Sequence, residues 1–211
     1  ETFRTQLVSS SERSVKVNVQ VPGFYTSNVT TPRGEAKIIS LPKSVSTAKA
    51  GEPNVPMTGI PVMIGDKARM STRIVDAQYM DFENIEIAPS KGDFSRQIDP
   101  ATVPYTYGEM YSKNAFWPAN QAELDMPYIL RDFRGQNIVV RPFAYNPVTK
   151  TLRVYHGITI AMKKISDNGV NQKVARKANS KMSAEMDAAY SHRFINYQES
   201  VSKYTFLQDH G

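Results

Sequence analysis

Between residues 15 and 21 the chain alternates strictly: Val15, Val17, Val19 and Val21 are apolar, while Lys16, Asn18 and Gln20 are polar. Successive side chains of a β-strand point to opposite faces, so the pattern predicts a strand with one buried face. Residues 36–41 read as a shorter strand. The turn-rich run Gly51-Glu52-Pro53-Asn54-Val55-Pro56 leads into residues 57–64. There Pro61 has no N–H to donate, which predicts an edge strand or a broken one. Residues 72–80 and 82–87 follow as strands. Residues 88–104 interrupt the pattern with Pro89, Pro100, Pro104 and Gly92 and show no periodicity. A segment this long without regular structure is uncommon in a compact domain and marks a functional or disordered loop. Residues 105–111 and 126–133 are lesser strand candidates.

The clearest local pattern is a hairpin. Residues 136–145 run into Asn146-Pro147-Val148-Thr149, and residues 150–162 return. Asn-Pro opens a turn because proline presets φ and the asparagine side chain caps the backbone. Gly157 marks a bulge where the in-and-out alternation resets. Past Ile165 the chain turns polar through Ser180. Residues 183–197 then read as a helix, with Met186, Ala189, Tyr190 and Phe194 at helical spacing. Ser183 is its N-cap, with Met186 where a capping box would carry Glu. Short strands divided by Pro and Gly turns, with no internal repeat, predict an all-β fold: an antiparallel β-sandwich or barrel-like domain with a short C-terminal helix.

Composition narrows the function classes. The 211 residues include 13 Pro and 11 Gly, which argues against a mostly helical chain, and 40% hydrophobic with 22% charged residues is ordinary for a globular protein. There is no Cys. A cysteine nucleophile, a thiolate metal site and a disulfide framework are therefore excluded, whereas the compartment is left open. No apolar run approaches the length of a membrane span, so no membrane insertion is expected. The start, Glu1-Thr2-Phe3-Arg4, carries no signal-peptide pattern.

The net charge of +6 is concentrated. Residues 163–181 hold Lys163, Lys164, Lys173, Arg176, Lys177 and Lys181 against Asp167, which is five of the six net charges. That reads as a solvated basic linker. A single-strand nucleic-acid groove interleaves aromatics with its cations, and this stretch has none, so no nucleic-acid partner is expected.

Catalytic patterns are missing. His156, His192 and His210 lie far apart, and His156 reads as a hydrogen-bonded structural histidine on a strand. There is no His-Glu-x-x-His, Gly-x-Ser-x-Gly, P-loop or Gly-x-Gly-x-x-Gly. Glu83 and Glu86 are spaced for opposite faces of a strand and do not form an acid–base pair. Asn28-Val29-Thr30 fits a glycosylation sequon that also arises by chance. Neither a metal site nor a cofactor is predicted.

Five segments in a fixed order carry a resemblance. They are residues 51–56, the run IAPSKGDFSRQIDPATVPYTYGEMY from Ile87, residues 127–136 (PYILRDFRGQ), residues 145–155 (YNPVTKTLRVY) and Phe194-Ile195-Asn196-Tyr197. In these the chain resembles the N-terminal prodomain of gingipains, the secreted cysteine peptidases of family C25, and is most similar to the arginine-specific branch. The resemblance covers residues 51–204 and only weakly the first fifty. It implies an all-β sandwich that assists folding of a C25 cysteine peptidase catalytic domain, its partner, and keeps it latent. It also implies a signal peptide removed before Glu1 and type IX export through the periplasm to the surface of a Bacteroidetes-type cell. The catalytic Cys would belong to the domain that follows.

The same resemblance implies an inhibitory loop, Asp93, Phe94, Ser95, Arg96 and Gln97, with Arg96 entering the partner's S1 pocket. An arginine suits such a pocket because its planar guanidinium pairs bidentately with a carboxylate. Phe94 is a second anchor or a small core plug, and Asp93 and Asp99 are solvated flanks. Processing is expected at Lys203–Tyr204, where the arginine-specific pattern would place Arg before the cut, and secondary cleavage at Arg176–Lys177. The chain then divides into a sandwich core (1–165), a basic linker (166–182), a helix and tail (183–203) and the start of the catalytic domain (204–211). The competing class is a secreted adhesion or carbohydrate-binding sandwich, with Trp117 and the 11 Tyr lining a sugar platform.

Overall fold

The computed structural model describes residues 2–95, 97–174 and 183–201. Its strands are β1 (Arg4–Ser10), β2 (Ser14–Gln20), β3 (Tyr25–Thr31), β4 (Gly34–Ser40), β5 (Val45–Ser46) and β6 (Pro56–Ile64). They continue with β7 (Arg69–Phe82), β8 (Ala122–Leu124), β9 (Tyr128–Leu130), β10 (Phe133–Val140), β11 (Phe143–Asn146) and β12 (Thr151–Ser166). A 3-10 turn spans Glu109–Ser112, and helices α1 (Ala184–Arg193) and α2 (Tyr197–Val201) close the described chain.

Two five-stranded antiparallel sheets form a sandwich, as the strand pattern predicts. In the first, β1 pairs with β2, and β2 and β11 both pair with the long β12, which also pairs with β7 along its length. The second orders β5-β6-β10-β8, with β9 also on β10. The β3–β4 hairpin stands as a separate two-stranded sheet. Val15, Val17 and Val19 of β2 and Ile158, Ile160 and Met162 of β12 meet Ile60, Val62, Ile138 and Val140 from the other sheet. Burying each such side chain contributes roughly 1.5–3 kcal/mol, so this interface is the main source of stability.

Several elements differ from the sequence pattern. Residues 136–145 are not one strand: β10 belongs to the second sheet and β11 to the first, and Arg141-Pro142 carries the chain across. Residues 83–87 are not a strand, although Ile87 bridges to Lys37 of β4 in parallel. Residues 105–108 are irregular and run into the 3-10 turn. The helix predicted over 183–197 is two helices broken at Phe194. The bulge at Gly157 is present, between Tyr155 and Gly157, and Asn146 Oδ1 accepts from Val148 and Thr149 N–H at 3.1 and 3.3 Å. Ser183 caps α1 by accepting from Met186 N–H at 3.3 Å.

Pro61 neither breaks β6 nor ends it. Its carbonyl faces away from β10 and accepts from Ile195 N–H at 3.0 Å. Two residues on, Asn196 takes over the role of a neighbouring strand. Its Oδ1 accepts from Met63 N–H at 2.8 Å and its Nδ2 donates to Met63 O at 3.0 Å. An open sheet edge is thereby closed by a single amide side chain. Around it Met63, Phe133, Tyr190, Phe194 and Tyr197 form a third buried cluster that docks the helices on the second sheet. Gly135 makes room for it: a Cβ there would lie 2.6 Å from Phe194 Cε1 and 2.8 Å from Tyr128 Cζ.

Arg134, fully buried, ties three segments together. Its guanidinium donates to the carbonyls of Gly65, Ala68, Val170 and Asn171 at 2.9, 2.7, 2.5 and 2.8 Å. The turn before β7 and the segment after β12 are thus fixed to β10.

Candidate functional site

The loop that follows β7 is held at its entry by a set of backbone bonds. Lys37 N–H of β4 donates to Glu86 O at 2.7 Å, and Ala88 N–H returns to Lys37 O at 2.9 Å. Asn54 N–H donates to Ala88 O, Ser90 N–H to Glu52 O and Gly51 N–H to Ser90 O, at 3.1, 2.7 and 2.9 Å. Ser90 Oγ adds a bond to Thr47 O. Ile87 and Ala88 are fully buried. The turn-rich run 51–56 therefore serves as the seat on which the loop entry rests.

The exit is held by tyrosines. Tyr111 Oη donates to Ile87 O at 2.8 Å, and Tyr107 Oη shares a 2.7 Å bond with Thr31 Oγ1. The Arg33 guanidinium stands 4.0 Å from the Tyr107 ring centroid. Burial pushes the Tyr111 phenol well above its ordinary value, so it stays a donor. Entry and exit also meet directly. Gly108 N–H donates to Gly51 O at 2.9 Å, and a Cβ on Gly51 would lie 2.9 Å from that nitrogen, so this crossing requires glycine.

Between these anchors the loop rises to an exposed tip. Asp93, Ser95, Gln97, Ile98 and Asp99 are exposed. Phe94 is half-buried and, with Pro100 and Tyr105, closes one side of a cleft of about 590 Å³ whose far wall includes Ile38, Val45 and Met57. Asp99 is more than a solvated flank: its Oδ1 accepts from Ala101 N–H at 2.9 Å and its carbonyl from Thr102 N–H at 3.0 Å. Arg96 lies outside the described residues, as do Arg176, Lys177, Lys203 and Tyr204. The structure thus brings Asp93, Phe94, Ser95 and Gln97 onto one anchored loop.

The sequence pattern did not mark Thr47, Tyr107 and Tyr111 as supports of this loop. The signal was present in the alternating tyrosines, which read instead as a strand. The other candidates fall elsewhere. His156 is exposed at the β12 bulge, where its carbonyl accepts from Val21 N–H at 3.0 Å. Trp117 is half-buried against the second cluster, around Phe143 and Tyr145, and among the described tyrosines only Tyr25 and Tyr79 are exposed. Tyr111, Tyr145, Tyr190 and Tyr197 are core, and Trp117, Tyr105, Tyr107, Tyr128 and Tyr155 are half-buried. Among the described residues there is no group of three or more His, Asp or Glu that could hold a metal, and no helix is long and apolar enough to cross a membrane.

A family model described as Propeptide_C25 matches residues 4–204. Gingipain R1 of Porphyromonas gingivalis is 36% identical over 205 residues, covering 97% of this chain and 20% of that protein. Gingipain R2 of the same organism is 31% identical over 206 residues, covering 98% of this chain and 27% of that protein. The chain thus spans about a quarter or less of these relatives. A solved complex of Porphyromonas gingivalis RgpB pro- and mature domains matches with a TM-score of 0.84 at 30% identity, over 93% of this chain and 97% of that one.

Proposed function

The chain belongs to the C25 propeptide family, on the arginine-specific side, and from that premise we propose that it keeps a C25 cysteine peptidase catalytic domain latent and assists its folding. With no Cys, it is not itself the peptidase. The observation that carries the reading is the 88–105 loop, whose entry at residues 88–90 is buried and bonded, whose exit runs on to the bonded Tyr107, Gly108 and Tyr111, and whose described residues 93, 95 and 97–99 in between are exposed. A loop fixed in this way loses little conformational entropy on binding. Arg96, which follows Ser95 in the sequence of this loop, enters the partner's S1 pocket. The solved relative pairs a pro-domain with a mature domain, which supports a cognate peptidase as partner.

The rest of the reading follows from the same premise. Residues 1–165 form the sandwich core, 166–182 a basic linker, 183–203 the helix and tail, and 204–211 the start of the catalytic domain. Release occurs at Lys203–Tyr204, with Arg176–Lys177 as a secondary cut. The protein is exported by the type IX route through the periplasm to the cell surface, binds no nucleic acid and does not insert in a membrane. The test is to titrate mature gingipain R1 with the purified chain. Tight, saturable inhibition is expected. No inhibition of either arginine- or lysine-specific gingipains would contradict the role. N-terminal sequencing of the processed enzyme should begin at Tyr204, and another start removes the Lys203 assignment.

A further inference from the structure

One side chain joins the two limbs of the loop. Lys91 Nζ donates to the carbonyl of Pro100 at 2.8 Å, and the same ammonium stands 4.4 Å from the centroid of the Tyr105 ring. Both contacts cross from the rising limb to the returning one. Nearer the tip, Ile98 N–H donates to Ser95 O at 2.9 Å, which draws together the residues on either side of positions 96 and 97.

These contacts bear on a problem that the Arg96 reading creates. An arginine presented to an arginine-specific peptidase should be cut after. Hydrolysis adds water across the 96–97 amide, leaving a carboxylate on residue 96 and an amine on residue 97. The cut becomes productive only when the new ends part and water can reach the enzyme. Resting on the assignment of Arg96 to S1, we propose that Lys91 is the positioning residue that makes this loop an inhibitor and not a substrate, by clasping its limbs across the cut. With the limbs clasped, the two ends stay side by side at high effective concentration.

Lysine suits the task. A compact ammonium on a flexible stem offers three donors, enough to serve a carbonyl and to face an aromatic ring at once. Burial, followed by the neighbouring Tyr107, raises the Tyr105 phenol above its ordinary value, so the ring under the ammonium stays neutral.

The experiment mixes mature gingipain R1 with the full chain in four forms: wild type, Lys91→Met, Lys91→Arg and Arg96→Ala. Residual activity gives initial inhibition, and mass spectrometry follows cutting at 96–97 over hours. Lys91→Met is expected to fold and to inhibit initially within about threefold of wild type. It should then be cut about five- to tenfold faster, the worth of one ordinary hydrogen bond, since this one is exposed to solvent. Lys91→Arg, which keeps a donor and a cation, should restore slow cutting. If Lys91→Met is cut no faster while Arg96→Ala loses inhibition, the clasp is wrong and the S1 assignment stands. If Lys91→Met loses initial affinity with no change in cutting, Lys91 is a contact and not a clasp. If Arg96→Ala inhibits as wild type does, the S1 assignment falls and the clasp with it.

Discussion

Between the two sheets, Val15, Val17, Val19, Ile158 and Ile160 meet Ile60, Val62, Ile138 and Val140 in a contact made only of hydrocarbon. In the loop at residues 91–105 every described side chain is exposed or half-buried, and shape comes from hydrogen bonds to backbone carbonyls: Lys91 to Pro100, Ile98 to Ser95, Thr102 to Asp99. The first region is ordered by the removal of apolar surface from water, which is large and indifferent to partner. The second is ordered by directional bonds that individually contribute about 1 kcal/mol. Under the proposed function, stability and recognition fall in different parts of the molecule, and substitutions should separate them.

The most damaging change to the sandwich is Arg134→Met. It removes a donor from the carbonyls of Ala68, Val170 and Asn171, each loss costing about 1–3 kcal/mol, while Gly65 O keeps the Ala68 N–H, so urea unfolding should report a loss of roughly 3 kcal/mol or more. Inhibition should fall only as far as the folded fraction falls. Asn196→Leu comes next. It reopens the β6 edge at Met63 and should cost about 2–3 kcal/mol, with the inhibition constant of the folded protein unchanged. A change in that constant without a change in stability would join the two regions. Gly135→Ala forces Phe194 or Tyr128 to move and should cost about 1–2 kcal/mol, read as a lowered melting temperature.

The mildest lever is pH. Tyr111, Tyr145, Tyr190 and Tyr197 are raised, chiefly by burial, and all four lie in or beside the buried clusters. Their folded values exceed the unfolded value of about 10, so their stabilisation is whole below that pH and is lost as pH rises through the folded values. Asp81 runs the other way. The bidentate bond from Arg153 holds its carboxyl below the usual range, so its contribution is present above about pH 4 and fades as the solution is acidified further. Urea midpoints should therefore be flat from pH 5 to about 10 and fall outside that range. A midpoint that moves near neutrality would contradict this picture.

The chain announced its sandwich wherever a strand has one dry face and one wet face. That condition holds for β2 and β12, and it makes their valines and isoleucines alternate. It fails for β3, whose Tyr25, Thr26, Ser27 and Asn28 are all exposed, and for the edge strand β1, so neither strand was legible. It misleads at Arg141-Pro142, because the two sheets share one core and the alternation continues while the chain changes sheet. The loop was legible by its prolines and lack of period. Its supports were not, because Lys91, Ser90 and Thr47 act through carbonyls that any sequence would supply. Arg134 was hidden for a related reason: four main-chain oxygens hold its charge, and they leave no mark in the residue types around it.

The proposed function assigns recognition to Arg96 of the 88–105 loop and leaves the sandwich to carry that loop. The direct test is the inhibition constant of Arg96→Ala against mature gingipain R1, with the urea midpoint measured on the same preparation. A rise of about tenfold or more in the constant at an unchanged midpoint is the predicted result, since an arginine lost from a buried pair costs on the order of 2–5 kcal/mol. An unchanged constant would move latency from the loop to the broad surface of the domain and contradict the account.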